Sequence, residues 1–153
     1  MTRVPPDIEA YWESSHPFSK AVTARLQKGV HKLFETEERV LFIAHSLGAV
    51  LAFDALAATS QDLSKITLLT MGSPLTHPPF FERLKGSLSG LEAWYNLSAK
   101  GDKICGPVGL LKKPEELSLI NPLIQDDAPN PHHALGYLRH PITADLLAQW
   151  LHQ

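Results

Sequence analysis

The segment Val40-Leu-Phe-Ile-Ala44-His45-Ser46-Leu47-Gly48 decides the fold, because it joins a short apolar run to a turn of small residues. Val40–Ala44 is rich in strand-forming residues, and a continuous run of this length predicts a strand that is buried on both faces. Residues 49–58 are apolar nearly all round, which indicates a buried helix. A strand, a turn that contains a serine and a buried helix therefore follow one another directly.

The same alternation continues along the chain. Ile66–Thr70 and Ala93–Leu97 predict two further strands, and a brief strand is expected near residues 123–124. Apolar residues at helical spacing predict a helix over 19–34, and Pro141 suits the first turn of a last helix. Alternating strands and helices are typical of parallel βαβ units, so we expect one α/β domain over residues 1–153.

Composition excludes several classes of function. The 153 residues are 44% hydrophobic and 20% charged, with a net charge of -2, as expected for one globular domain. A nucleic-acid-binding protein needs a clustered basic face, and a membrane span needs about eighteen unbroken apolar residues. The sequence shows neither. The lone Cys105 and the absence of a secretory leader favour the cytoplasm, and no metal or organic cofactor is indicated.

Ser46 is the candidate nucleophile. It follows a buried strand and precedes a buried helix, and the small residues Ala44 and Gly48 lie two positions to either side. This is the pattern of a strained turn that exposes a serine hydroxyl above a sheet. The backbone N–H of Leu47 would then donate to a developing oxyanion. The alternative is an ordinary serine at the N-cap of a helix.

A nucleophilic serine needs a base, and the base needs an acid to orient it. Asp102 follows the third predicted strand after a short turn, where a carboxylate would reach the carboxyl edge of the sheet. Asp126 and Asp127 are competing acids, whereas Asp54 lies two turns into the predicted helix after Ser46 and is expected to be structural. Asp102 is therefore the predicted acid.

The base is expected in the loop before the last helix. His133 is the first choice there, and His132 and His140 are its rivals. Two adjacent histidines cannot both face one site, because successive side chains diverge. The sequence therefore predicts His133 as the base and leaves His132 as an alternative.

Four strings of the sequence resemble landmarks of the bacterial lipase and esterase-like α/β hydrolases. They are Phe42-Ile-Ala-His-Ser-Leu-Gly48, Leu69-Thr-Met-Gly-Ser-Pro-Leu75, Trp94-Tyr-Asn-Leu-Ser-Ala-Lys-Gly-Asp102 and His133-Ala-Leu-Gly-Tyr-Leu-Arg-His-Pro141. The resemblance implies a three-layer α/β-hydrolase-like fold and a small-molecule carboxylic ester as substrate. It implies a catalytic triad of Ser46, Asp102 and His133, with His45, Ser73 and Pro74 as substrate-binding residues.

The chain differs from that family in its N-terminal part. Relatives carry several strands before the nucleophile strand, and the loop after one of them donates a second oxyanion N–H. Here Val40–Ala44 is the first strand in the sequence, so we expect a truncated or minimal domain with a reduced, mostly parallel sheet and without that donor loop. An apolar edge without proline or lysine invites pairing with another chain, which predicts a homodimer. A helix over residues 7–15 is the competing cover for this edge. The alternative function is a non-catalytic binding or assembly module that needs a partner to complete the sheet.

Overall fold

The computed structural model describes residues 11, 17–76, 88, 90–105, 119–120, 123–124 and 130–153. Its helices and strands, in chain order, are α1 (Pro17–Thr36), β1 (Val40–His45), α2 (Leu47–Ala57), β2 (Ile66–Met71), β3 (Ala93–Ala99), β4 (Leu119–Ile120), β5 (Leu123–Ile124), α3 (Ala134–Arg139) and α4 (Pro141–Leu151). Short 3₁₀ helices at Leu63–Lys65 and Pro74–Thr76 flank β2. The predicted α/β class is confirmed. Apart from Tyr11, the helix predicted over residues 7–15 lies outside the described residues.

The three long strands form a small parallel sheet in the order β1-β2-β3. Val40 pairs with Ile66 and Thr67 pairs with Ala93, so all three strands run in one direction with their carboxyl ends at one edge. The short strands β4 and β5 both pair with β3, also in parallel. Groups that follow β1, β2 and β3 are therefore brought together, as expected for open parallel sheets.

Each face of the sheet packs on its own apolar cluster. Alternate strand residues point to opposite faces, and one face meets the helices α1 and α2 through residues that include Phe53, Leu68 and Trp94. The other face meets α3 and α4 through a smaller cluster around Leu69, Leu97 and Tyr137. The sheet is thus covered by helices on both sides.

The strands β1 and β2 differ in burial although both sequences are continuously apolar. All six residues of β2 are buried, as predicted. In β1 only Val40 is buried, and the side chain of Ile43 is 46% exposed. The prediction that this strand is buried on both faces is therefore wrong. Among the described residues, β1 has a strand neighbour on one side alone, so it is an edge of the sheet.

Candidate active site

The turn between β1 and α2 consists of Ser46 alone. Its φ of 56° and ψ of -129° lie where residues with a side chain are rarely found, and no other non-glycine residue described here has a positive φ. Such a conformation costs on the order of 1–3 kcal/mol and must be held by its surroundings. The Ser46 N–H donates to the Met71 carbonyl at 3.0 Å, which fastens the turn to the end of β2.

The serine side chain is not used as a helix cap. The Ser46 hydroxyl makes no capping hydrogen bond to the first turn of α2, so the reading of this residue as an ordinary N-cap has no support in the geometry. Leu47 is the first residue of the helix, where backbone N–H groups have no partner within the helix. A Cβ built on Gly48 meets no described atom within 4 Å, so packing among these residues does not explain the small residue at that position.

His132, rather than His133, lies between Ser46 and Asp102. Its Nε2 is 3.0 Å from the Ser46 Oγ, and its Nδ1 is 2.9 Å from Oδ2 and 3.1 Å from Oδ1 of Asp102. The backbone N–H of His132 donates to the Asn130 side chain at 3.1 Å, which shapes the turn. A serine hydroxyl, an imidazole and a carboxylate therefore form one continuous hydrogen-bonded chain.

The expectation that His133 faces this site is corrected. His133 is exposed and is the N-cap of α3, where its Nδ1 accepts the Leu135 N–H at 3.2 Å. His140 has the same task at α4, where its Nδ1 accepts the Ile142 N–H at 3.3 Å. Successive side chains diverge, so the residue that caps the helix turns away from the sheet and its predecessor turns toward it.

Asp102 is 1% exposed and has three hydrogen-bond donors besides its own backbone contacts. The donors are His132 Nδ1, the Tyr137 hydroxyl at 2.5 Å and the Ile104 N–H at 2.9 Å. Burial acts to raise the pKa of this carboxyl, but the hydrogen bonds from His132, Tyr137 and Ile104 outweigh it and leave the pKa below its ordinary value. Asp102 is therefore held as a carboxylate.

Of the other candidate acids, the structure describes Asp54 alone. Asp54 accepts the Tyr11 hydroxyl at 2.7 Å on α2, and Asp126 and Asp127 lie outside the described residues.

The three residues predicted to bind substrate have different surroundings. His45 Nε2 donates to the His132 carbonyl at 2.8 Å, and the two rings lie 4.8 Å apart. Burial lowers the pKa of His45 below its ordinary value, although the bond to His132 opposes this. Ser73 and Pro74 are buried, and the Ser73 hydroxyl accepts the Leu75 N–H at 3.1 Å. Both residues thus have structural contacts after β2, and their role in substrate binding stays a prediction.

Gly72 is a residue of the site that sequence reasoning missed. It follows β2 with a φ of +55°, and a Cβ at this position would lie 3.0 Å from Asp102 Oδ2 and 3.2 Å from both His132 Nδ1 and His45 Nε2. Real Cβ atoms rarely come so close to other atoms. Two features therefore favour glycine at this position. One is the positive φ of the backbone, and the other is the short distance from Asp102 and His132 to the place where a Cβ would lie. The string Met71-Gly72-Ser73-Pro74 was the available signal.

Tyr137 and Cys105 complete the buried side of the site. The Tyr137 hydroxyl accepts the Ala99 N–H at 3.0 Å while it donates to Asp102. The Cys105 thiol lies 3.8 Å from that hydroxyl and donates to the Asp102 carbonyl at 3.6 Å. Burial raises the pKa of Cys105 to about 11, so the thiol stays protonated and is not a nucleophile of this site.

No family model, curated protein or solved structure matches the chain in comparisons with known proteins. The geometry above is therefore the basis for any functional assignment. Within the described part of the chain, no helix combines the length and the apolar character that crossing a bilayer requires.

Proposed function

We propose that this protein is a serine hydrolase that cleaves carboxylic esters with Ser46, His132 and Asp102. One observation supports the proposal above all others. A serine in a strained turn, an imidazole and a buried carboxylate are joined by hydrogen bonds of 3.0 and 2.9 Å at the carboxyl edge of a parallel sheet. This arrangement is the one that activates a serine for acyl transfer, whatever the fold that holds it.

The proposed reaction has two halves. Ser46 Oγ attacks the ester carbonyl while His132 Nε2 accepts the hydroxyl proton, and His132 then returns that proton to the leaving alcohol as the ester C–O bond breaks. Water attacks the resulting acyl-serine by the same proton path and releases the acid. Asp102 accepts the Nδ1–H of His132 throughout, which fixes the tautomer and stabilises the imidazolium.

The oxyanion would be stabilised at the start of α2. The Leu47 N–H is our assigned donor, because it follows Ser46 directly and has no acceptor within the helix. The positive end of the α2 dipole lies at the same point. We assign no second donor among the described residues, and the loss of one oxyanion donor costs about 10²–10³ in rate. We therefore favour esters with good leaving groups over amides as substrates.

The α/β-hydrolase-like fold belongs to the same proposal. The order serine, acid, histidine along the chain is the order of that fold, and the elbow between β1 and α2 has its strained serine. The sheet described here starts with the nucleophile strand, as expected for a reduced member of the class. We also propose that the open edge of β1 pairs with a second copy of the chain, since Ile43 is exposed there and no charge interrupts residues 40–44.

A covalent probe and an activated ester test this function together. A fluorophosphonate should label the purified protein at Ser46, and p-nitrophenyl acetate or butyrate should be hydrolysed. Ser46→Ala should abolish both, because loss of a triad nucleophile costs about 10⁶ in turnover. Ser64→Ala is the control, since that serine is exposed, is bonded to Asp62 and lies before β2, at the opposite end of that strand from the site. Equal turnover in wild type and Ser46→Ala would exclude the proposal, and an unlabelled wild type would favour a binding module.

A further inference from the structure

Tyr137 is a buried side chain that the proposed reaction does not use. It is 0% exposed, and its ring packs in the smaller apolar cluster beneath β2 and β3. The hydroxyl accepts the Ala99 N–H at 3.0 Å and donates to Asp102 Oδ2 at 2.5 Å, and the Cys105 thiol is in weaker contact with it at 3.8 Å. Thr143 donates to the Tyr137 carbonyl at 2.6 Å, which ties the start of α4 to α3. The ring, the hydroxyl and the backbone are therefore all held in place.

The direction of these hydrogen bonds makes the Tyr137 hydroxyl a donor to Asp102. The backbone N–H of Ala99 can only donate, so the tyrosine oxygen accepts there and directs its own proton to the carboxylate. Burial, with the bond to Asp102, raises the pKa of Tyr137 above its ordinary value, so the phenol keeps its proton at neutral pH. The hydrogen bond to Asp102 therefore has a fixed direction, from the phenol to the carboxylate.

We propose that Tyr137 is a positioning residue that holds the Asp102 carboxylate in the orientation in which it binds His132 Nδ1. This inference rests on the proposed hydrolase function of the same site. Oδ2 of Asp102 accepts from both Tyr137 and His132, and the carboxylate cannot rotate without breaking the shorter of the two bonds. Tyr137 also links the acid at the end of β3 to α3, the helix that directly follows the histidine turn.

The other titratable groups around Asp102 set the background for a pH experiment. His132 is in hydrogen-bond contact, Cys105 lies on the buried side, and His45 lies across Gly72. A variant that removes only the phenolic oxygen leaves all of them in place. Tyr137→Phe is that variant. Tyr95→Phe is its matched control, because it removes the same atom from a ring that packs against the same cluster.

The first measurement is the pH dependence of ester hydrolysis. Loss of one hydrogen bond to a buried charge should lower kcat/KM about ten-fold in Tyr137→Phe, with KM unchanged since the residue does not touch substrate. The acid limb of the profile reports the coupled serine, histidine and aspartate unit, and it should move to higher pH. Tyr95→Phe should leave the profile where it is. A Tyr137→Phe enzyme that is less stable but has the wild-type profile and the wild-type KM and kcat would overturn the inference.

The second measurement does not require catalysis. The ¹³C resonance of the Asp102 carboxyl should titrate at higher pH in Tyr137→Phe than in wild type, because a donor that favours the charged form is gone. The same titration in both proteins, or the same shift in Tyr95→Phe, overturns the inference even if the protein has no esterase activity. If Tyr137→Phe does not fold, the wild-type spectrum decides. A downfield, exchange-protected hydroxyl proton of Tyr137 supports the positioning role, and its absence refutes it.

Discussion

The carboxyl ends of the three long strands and the turn that carries the histidines place their side chains by different means. Ser46, Gly72 and Asp102 follow β1, β2 and β3 within three residues of each strand, so the strand register brings them together. No such register acts on the histidine turn, where His132 faces the sheet and His133 caps α3. A side chain at a strand end is positioned by the sheet, whereas one in a turn depends on which neighbour is taken by the helix cap.

The largest effect is expected from the two adjacent histidines, because they test whether the helix cap decides which of them faces Ser46. His132→Ala should lower turnover of an activated ester by about 10⁶, the cost of losing the base from a triad. His133→Ala should keep the wild-type turnover and lower the free energy of unfolding by about 1 kcal/mol, because α3 loses its side-chain cap. Steady-state kinetics and urea unfolding of both variants measure these outcomes.

The reverse result would show that the turn has another register in solution. If His133→Ala loses activity and His132→Ala retains it, His133 is the base. The turn in solution then brings His133, and not His132, to Ser46. His140→Ala is the second control, because His140 also caps a helix through its Nδ1. It should match His133→Ala in both measurements.

A smaller effect is expected at Gly72, where the strand ends leave least space. In Gly72→Ala the new Cβ must push against Asp102 Oδ2 and His132 Nδ1. A displacement of the acid and the imidazole by a few tenths of an ångström to 1 Å should lower kcat by up to about 10². The positive φ should also cost about 1 kcal/mol or more in stability. Turnover and thermal unfolding separate the two losses.

Gly90→Ala is the matched control for the backbone part of that effect. Gly90 has a φ of +95°, but a Cβ there meets no described atom within 4 Å. This variant should lose stability like Gly72→Ala and keep its turnover. If the two variants have equal turnover, the close approach at Gly72 has no bearing on the reaction.

The sequence was informative where local pattern and sheet register act together. The apolar runs predicted β1, β2 and β3, and the order of the chain predicted that Ser46 and Asp102 lie together at the carboxyl ends of the strands. The edge position of β1 was expected from the absence of an earlier strand in the sequence. Composition alone predicts burial for β1, because Val40–Ala44 is at least as apolar as the fully buried Ile66–Thr70, so only the missing neighbour strand indicated that its side chains would be exposed.

The rest of the site depends on contacts between residues far apart in the chain. The histidine was missed by one position because the capping role of His133 is set by where α3 begins, and helix ends are poorly marked in a short segment. Gly72 matters only because Asp102 and His132 meet beside it. Tyr137 is separated from Asp102 by 35 positions. A local sequence pattern does not predict contacts between residues so far apart in the chain.

The smallest effect on the reaction is expected at the side of β1 that faces away from β2. Among the residues that the structure describes, β1 has β2 as its only strand neighbour, and its other side exposes backbone donors and acceptors that a second strand can pair. Because the edge of one copy is identical to that of another, a two-fold axis would pair them antiparallel.

Wild-type protein should therefore scatter light as a particle of twice the 16.9 kDa of the single chain. Ile43→Lys should return it to one chain with little change in turnover, while Leu135→Lys, at an equally exposed site on α3, should leave it paired. A wild type that remains at 16.9 kDa over micromolar concentrations contradicts the dimer, and a paired Ile43→Lys protein moves the interface away from β1.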